Sequence, residues 1–252
     1  MVSLHQSEVD RHRFVWGISE DPSIGVNMAR FSRLDTYQRL LEEGLLPVFN
    51  HHDTKATCFV VDAVASAGTS VFEFTNRGDH AIEIFKELSH HCKKEQPGLI
   101  LGAGSIIDEP TAALYIAHGA NFIVGPSFSE RVARLCNRRK IAYIPGCQTA
   151  TEIATAEEFG VEIVKFFPAR AGGGPDFIRQ ILGPSPWSRL LPTSLGDVSA
   201  DALASWFQAG ACAVGIGREL MPPEFVDALD GKAITERTIE IHEMVRRARS
   251  TH

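Results

Sequence analysis

Among the charged residues of this chain, Lys165 has an unusual setting. It lies in Ile163-Val164-Lys165-Phe166-Phe167-Pro168-Ala169, with apolar residues on both sides. In an extended segment side chains alternate between two faces, so Lys165 and Phe167 share one face, opposite Val164 and Phe166. If that shared face is the inside of a sheet, the amine leaves water. Desolvation disfavours an ammonium and lowers its pKa, which makes a neutral, nucleophilic amine accessible near neutral pH. Schiff-base chemistry with a carbonyl substrate requires such an amine. The plainer alternative is a lysine that snorkels from a strand end to solvent.

A second charged segment is Val71-Phe72-Glu73-Phe74-Thr75-Asn76-Arg77. The same alternation groups Val71, Glu73, Thr75 and Arg77 on one face, which places a carboxylate and a guanidinium near each other. A structural Glu73/Arg77 ion pair at the strand end explains them equally well at this level. Metal chemistry has weaker support. His51 and His52 are adjacent and would point to opposite faces of a strand, His90 and His91 fall on a helix surface, and H-E-x-x-H is absent. The glycine-rich segments Gly102-Ala103-Gly104-Ser105 and Ala171-Gly172-Gly173-Gly174 can bring backbone amides to an anion or can simply make tight turns. The first of them fails the dinucleotide-binding fingerprint.

These residues need elements to position them. From about residue 45, short runs rich in Val, Ile, Leu and Phe alternate with longer amphipathic stretches, the pattern of repeated β-α units. Eight runs are found: Leu45 to Asn50, Ser70 to Asn76, Leu99 to Gly104, Asn121 to Pro126, Ile141 to Gly146, Glu162 to Phe167, Leu190 to Thr193 and Ala211 to Gly217. Eight units predict a closed (β/α)₈ TIM barrel. Helices are predicted over Thr54 to Ser66, Asp79 to Lys94 and after Asp108, where Asp108 caps and Pro110 suits the first turn. A last, highly charged helix, about Ile234 to Arg249, is expected to turn Ile239 and Met244 inward. Ahead of the first strand, Leu34, Tyr37, Leu40 and Leu41 recur at helical spacing and Gly44 can end that helix in the left-handed conformation. This helix is expected to plug the barrel bottom. Residues 1–28 read as an arm or disordered tail that could make subunit contacts, ahead of a single domain over 29–252.

Gross composition narrows the partners. A chain of 252 residues with 44% apolar content can bury one sizeable core, and a net charge of -6 argues against a general nucleic-acid or anionic-membrane surface. The five cysteines, Cys58, Cys92, Cys136, Cys147 and Cys212, are scattered without C-x-x-C pairing, which fits a reducing cytoplasm. No apolar run reaches the roughly 18 residues of a membrane span, and the first 20 residues are too charged for a secretory leader.

Taken in order, the motifs resemble the family of 2-keto-3-deoxy-6-phosphogluconate and 4-hydroxy-2-oxoglutarate aldolases from about Leu34 to Leu220. The family's E-x-T-x-R strand is matched by Glu73 to Arg77, its G-A-G-T by Gly102 to Ser105, its P-G-x-x-T-x-x-E by Pro145 to Glu152 and its K-F-F-P-A by Lys165 to Ala169. The resemblance implies a class I aldolase on a (β/α)₈ barrel that needs no metal or cofactor, acts on a small 2-oxo acid, and is commonly trimeric. By matched position Lys165 would form the Schiff base, Glu73 would be the general acid/base, and Arg77 would hold the pyruvate carboxylate. Ser105 and Thr193 would be second contacts near that carboxylate, Phe167 would pack beside the carbon chain, and Pro126, Ser194, Gly217 and Arg218 would complete the binding surface.

One departure concerns the far end of the substrate. The family's P-T-G-G phosphate loop reads Pro192-Thr193-Ser194-Leu195 here, and its later G-S reads Gly217-Arg218. Leu195 is expected to crowd close backbone approach to a phosphate, whereas Arg218 can supply a charge to a phosphate or a carboxylate. Three functions compete: aldol cleavage of a 2-keto-3-deoxy sugar acid, phosphorylated or not, or of a carboxylate-ended 4-hydroxy-2-oxo acid; a barrel that binds a 2-oxo acid without turnover; and an isomerase. The isomerase lacks an evident second acid/base partner for Glu73.

Overall fold

The computed structural model describes residues 29–250; the expected N-terminal arm, residues 1–28, lies outside them. Its elements follow in the order α1 (Arg33–Glu43), β1 (Leu45–Phe49), α2 (Thr54–Ser66), β2 (Val71–Thr75), α3 (Ala81–Glu95), β3 (Ile100–Gly104), α4 (Glu109–Ala117) and β4 (Phe122–Val124). The chain continues with α5 (Glu130–Arg139), β5 (Ala142–Ile144), β6 (Gly146–Cys147), α6 (Ala150–Glu158), β7 (Val164–Phe166) and α7 (Gly174–Leu182). It ends with β8 (Leu190–Pro192), α8 (Ala200–Gln208), β9 (Val214–Ile216), α9 (Pro223–Asp227) and α10 (Gly231–Ser250). The fold is α/β with parallel strands in a curled sheet.

Pairing runs β5-β4-β3-β2-β1-β9 in one sheet and β6-β7-β8 in the other. The predicted strand Ile141 to Gly146 is divided at Pro145, which has no N–H to give to a ladder, although its carbonyl accepts from the Lys165 amide at 2.9 Å. On the far side, Thr193 bridges to Gly215 in parallel, joining the end of β8 to β9.

Strand alternation sorts the core into two clusters. The outer one takes Phe72, Phe74, Val164 and Phe166 together with the apolar faces of the helices. The inner one takes Leu46, Val71, Ile100, Phe122, Ile144, Ile163 and Leu191, and Tyr37 and Leu40 of α1 join it. Helix α1 is fixed at its start by a capping box between Ser32 and Asp35, and at its end by Gly44 with φ 69°. The Tyr37 hydroxyl lies between the Tyr143 backbone groups, accepting from the N–H at 3.2 Å and donating to the C=O at 3.3 Å. The expected inward position of Leu34 is not found: its side chain is 77% exposed.

The helix start at Asp108 is as expected, with its side chain accepting from the Thr111 amide and Pro110 in the first turn. In α10 the buried face is Ile234, Thr238, Ile241, Val245 and Ala248, a 4-3-4-3 spacing that rotates Ile239 outward to 43% exposure, while Met244 stays partly buried against the outer cluster. Ile239 was expected inside; the period of the whole helix decides against it. His51 and His52 are not on opposite faces of a strand, because β1 ends at Phe49 and their rings stack with centroids 4.4 Å apart.

Replacing Tyr37 by Phe leaves the two Tyr143 backbone groups without that partner in a buried setting. We expect it to lower unfolding stability by about 1–3 kcal/mol in denaturant titration.

Candidate active site

The site draws its residues from β2, β3 and β7 and from the connections that follow them. Glu73 is central in β2, paired in register with Gly102 of β3, and is 0% exposed. A carboxyl there needs space on the neighbouring strand. Gly104 supplies it: a Cβ at Gly104 would lie 1.7 Å from Glu73 Oε1. The G-A-G-S segment therefore makes room for a side chain, a use that neither the tight-turn nor the anion reading of the motif anticipates.

Neither carboxyl oxygen of Glu73 has a hydrogen-bond partner in the protein. Burial pushes its pKa up from the ordinary value, and the Lys165 charge, followed by that of Arg77, pulls it partway back. No salt bridge among the described residues joins Glu73 to Arg77. The structural ion-pair reading thus falls.

Lys165 is only 7% exposed, so it does not snorkel to solvent. Its strand neighbours Val164 and Phe166 are in the outer cluster and Ile163 in the inner one, which sets the lysine on the inner face. The Nζ atom stands 5.0 Å from the centroid of the Phe167 ring. Arg77, exposed at the mouth, points Nε toward Ser105 Oγ at 3.5 Å.

A cavity of about 440 Å³ opens here, walled by Arg77, Phe167, Thr193, Ser194, Gly217 and Arg218 among others. Thr193 Oγ1 is buried without a partner and fits tightly beside Gly215, where a Cβ would come within 2.5 Å of it. Of the remaining expected residues, Glu73, Lys165, Ser105 and Pro126 are not in the cavity wall. Ser105 stays close through Arg77; Pro126 instead packs its carbonyl against Gly146.

The altered loop differs from expectation in one respect. Leu195 is buried in the outer cluster, so its side chain anchors the loop to the core and does not crowd the cavity. Ser194 and Ser105 both adopt left-handed backbone, φ 67° and 59°, conformations that favour glycine. The Gly172-Gly173-Gly174 run forms the turn into α7, with Gly173 as its N-cap.

Sequence reasoning missed Asn50, His51, Met221, Pro223, Val226 and Asp227, all in the cavity wall. They sit in connections and in the five-residue helix α9, which carry no periodic signal. Among the described residues no group of three or more His, Cys, Asp or Glu is arranged to hold a metal ion, and no helix is long and apolar enough to cross a membrane.

Because the folded pKa of Glu73 is raised above its ordinary 4.5, its stabilising effect is full below that value and is lost as pH rises through the raised one. We expect Glu73→Gln to be more stable than the parent at neutral to alkaline pH, with the difference in Tm shrinking as pH falls toward 4.5. A Tm difference independent of pH would contradict this.

Residues 37–237 match the family described as KDPG and KHG aldolase. A 2-dehydro-3-deoxy-phosphogluconate aldolase of Pseudomonas aeruginosa is 32% identical over 199 residues, covering 79% of this chain and 87% of that protein. A KHG/KDPG aldolase of Escherichia coli is 29% identical over 174 residues, covering 69% and 79%. Among solved structures, a KDPG aldolase from Legionella pneumophila, with pyruvate captured as a covalent carbinolamine intermediate, aligns with a TM-score of 0.73 at 25% identity over 81% of this chain and 96% of that one. The match spans Glu73, Arg77 and Lys165, and the chain belongs to the KDPG and KHG aldolase family.

Proposed function

We propose that the protein is a class I aldolase that cleaves a 2-keto-3-deoxy sugar acid or a 4-hydroxy-2-oxo acid to pyruvate and an aldehyde, with Lys165 as the Schiff-base residue. The observation that carries this is the buried Lys165 amine beside a fully buried, unpartnered Glu73 carboxyl. The relatives named as aldolases support the same reading.

The residues take distinct parts. Arg77 holds the substrate carboxylate through paired hydrogen bonds, and Ser105 and the buried Thr193 hydroxyl supply further contacts near it. Lys165 adds to the C2 carbonyl, and loss of water from the carbinolamine leaves a protonated imine. That imine accepts the electron pair of the C3–C4 bond as the C4 hydroxyl gives up its proton, so an aldehyde departs and an enamine remains. Glu73, directly or through a water, relays the protons and returns one to C3; water then releases pyruvate and restores the amine. Phe167 lies along the carbon chain.

The same reading extends to the architecture. The Thr193–Gly215 bridge and the Lys165-to-Pro145 hydrogen bond support a closed (β/α)₈ barrel over 29–252, and burial of Tyr37 and Leu40 among the inner residues supports α1 as its bottom plug. The five free cysteines suit the cytoplasm. A homotrimer rests on the resemblance of the motifs.

Treatment with pyruvate and borohydride is expected to add one reduced pyruvate to the protein, mapped to Lys165 by mass spectrometry and lost in Lys165→Met. Unmodified protein after this treatment would refute the reading. Glu73→Gln is expected to lower kcat for pyruvate release by roughly 10²- to 10⁴-fold.

A further inference from the structure

The cavity has polar residues for which the cleavage steps have no use. They come from three connections and one short helix: Asn50 and His51 after β1, Ser194 after β8, Arg218 and Glu219 after β9, and Asp227 at the end of α9.

His51 is held in one orientation. The Asp53 backbone N–H donates to its Nδ1 at 3.1 Å, so Nδ1 is the bare nitrogen and the neutral ring carries its proton on Nε2. Its ring lies within 5° of the Phe49 plane at 6.2 Å, and the His52 ring stacks 4.4 Å away. The loop hydrogen bond and the stacking hold the ring and leave Nε2 as its donor.

The charge of this wall disfavours a phosphate. Apart from Arg77, which the substrate carboxylate engages, two carboxylates, Asp227 and Glu219, accompany one guanidinium, Arg218. A phosphomonoester dianion would meet net negative charge there. This set of donors and acceptors does suit hydroxyl groups, since each hydroxyl both donates and accepts: His51 and Arg218 donate, Asp227 accepts, Ser194 and Asn50 do either.

We propose that the distal subsite takes an uncharged, polyhydroxylated tail, so that the preferred substrate is an unphosphorylated 2-keto-3-deoxy sugar acid, with His51 and Asp227 as specificity-determining residues. This rests on the aldolase reading above.

The test compares pyruvate release by the full chain from 2-keto-3-deoxygluconate, its 6-phosphate and 4-hydroxy-2-oxoglutarate. We expect kcat/KM for the unphosphorylated sugar acid to exceed both others by about tenfold or more. His51→Ala should raise KM for that substrate by roughly tenfold with a smaller effect on kcat, the signature of a lost binding contact. Asp227→Asn should narrow the preference against the phosphate. Equal or better turnover of the 6-phosphate or of the dicarboxylate overturns the inference, as does pyruvate adduct formation without cleavage of any of the three. In those outcomes the borohydride adduct on Lys165 still forms; if that adduct is also missing, the aldolase reading fails and this one with it.

Discussion

A carboxyl group buried with no hydrogen-bond partner is costly to place in a protein interior, by several kcal/mol when charged, and Glu73 is such a group. The surroundings are arranged around that cost. Phe72 and Phe74 on either side of it turn into the helix layer, which commits Glu73 to the inner face by alternation alone. The neighbouring strand contributes glycines at 102 and 104, the second because any side chain there would occupy the position of the carboxyl oxygen. Below, the inner face is filled by aliphatic and aromatic side chains and by Tyr37 and Leu40 of α1, so the carboxyl has apolar matter beneath it. The compensating positive charge comes from Lys165 and Arg77. A core optimised for stability alone would hold an apolar residue at this position; retaining an acid makes sense if it moves protons.

The site then divides by solvent access. At the end that would hold pyruvate Glu73, Lys165 and the unpartnered Thr193 hydroxyl are buried, with only Arg77 exposed at the mouth, and charge interactions are strong among the buried groups. The other end is walled by exposed connections carrying His51, Arg218, Glu219 and Asp227, where water screens charge and hydrogen-bond direction matters more than field. On the reading proposed above, the shared chemistry belongs to the first end and substrate choice to the second. This is how a change from two glycines to Ser194 and Leu195 can leave the reacting groups in place.

The buried end was legible in the sequence because it lies on strands. A period of two assigns a face to every residue of Val71 to Thr75 and Ile163 to Phe166, so Glu73 and Lys165 stand out as charges where apolar residues belong. The distal wall was not legible. His51 and Asp227 sit in a loop and in a five-residue helix, where no periodicity tells which way a side chain points. Leu195 looked like an obstruction to the ligand because it stands at a glycine position of the family's P-T-G-G loop; only the fold reveals that it turns into the core. Ile239 was misplaced for a related reason: one apolar residue in a charged helix fits several faces, and tertiary packing along all of α10 chose another. Gly104 was noticed as part of a motif, but its purpose depends on register with β2, which is a long-range property.

The dependence of the site on that register gives the most direct test. The backbone at Gly104 is outside the left-handed region, so alanine is compatible with its conformation, and the added methyl meets Glu73 foremost. If the placement of the Glu73 carboxyl is what the site depends on, Gly104→Ala should remain cooperatively folded in thermal unfolding and yet release pyruvate about a hundredfold more slowly. A folded Gly104→Ala protein with the parent's kcat would contradict the account.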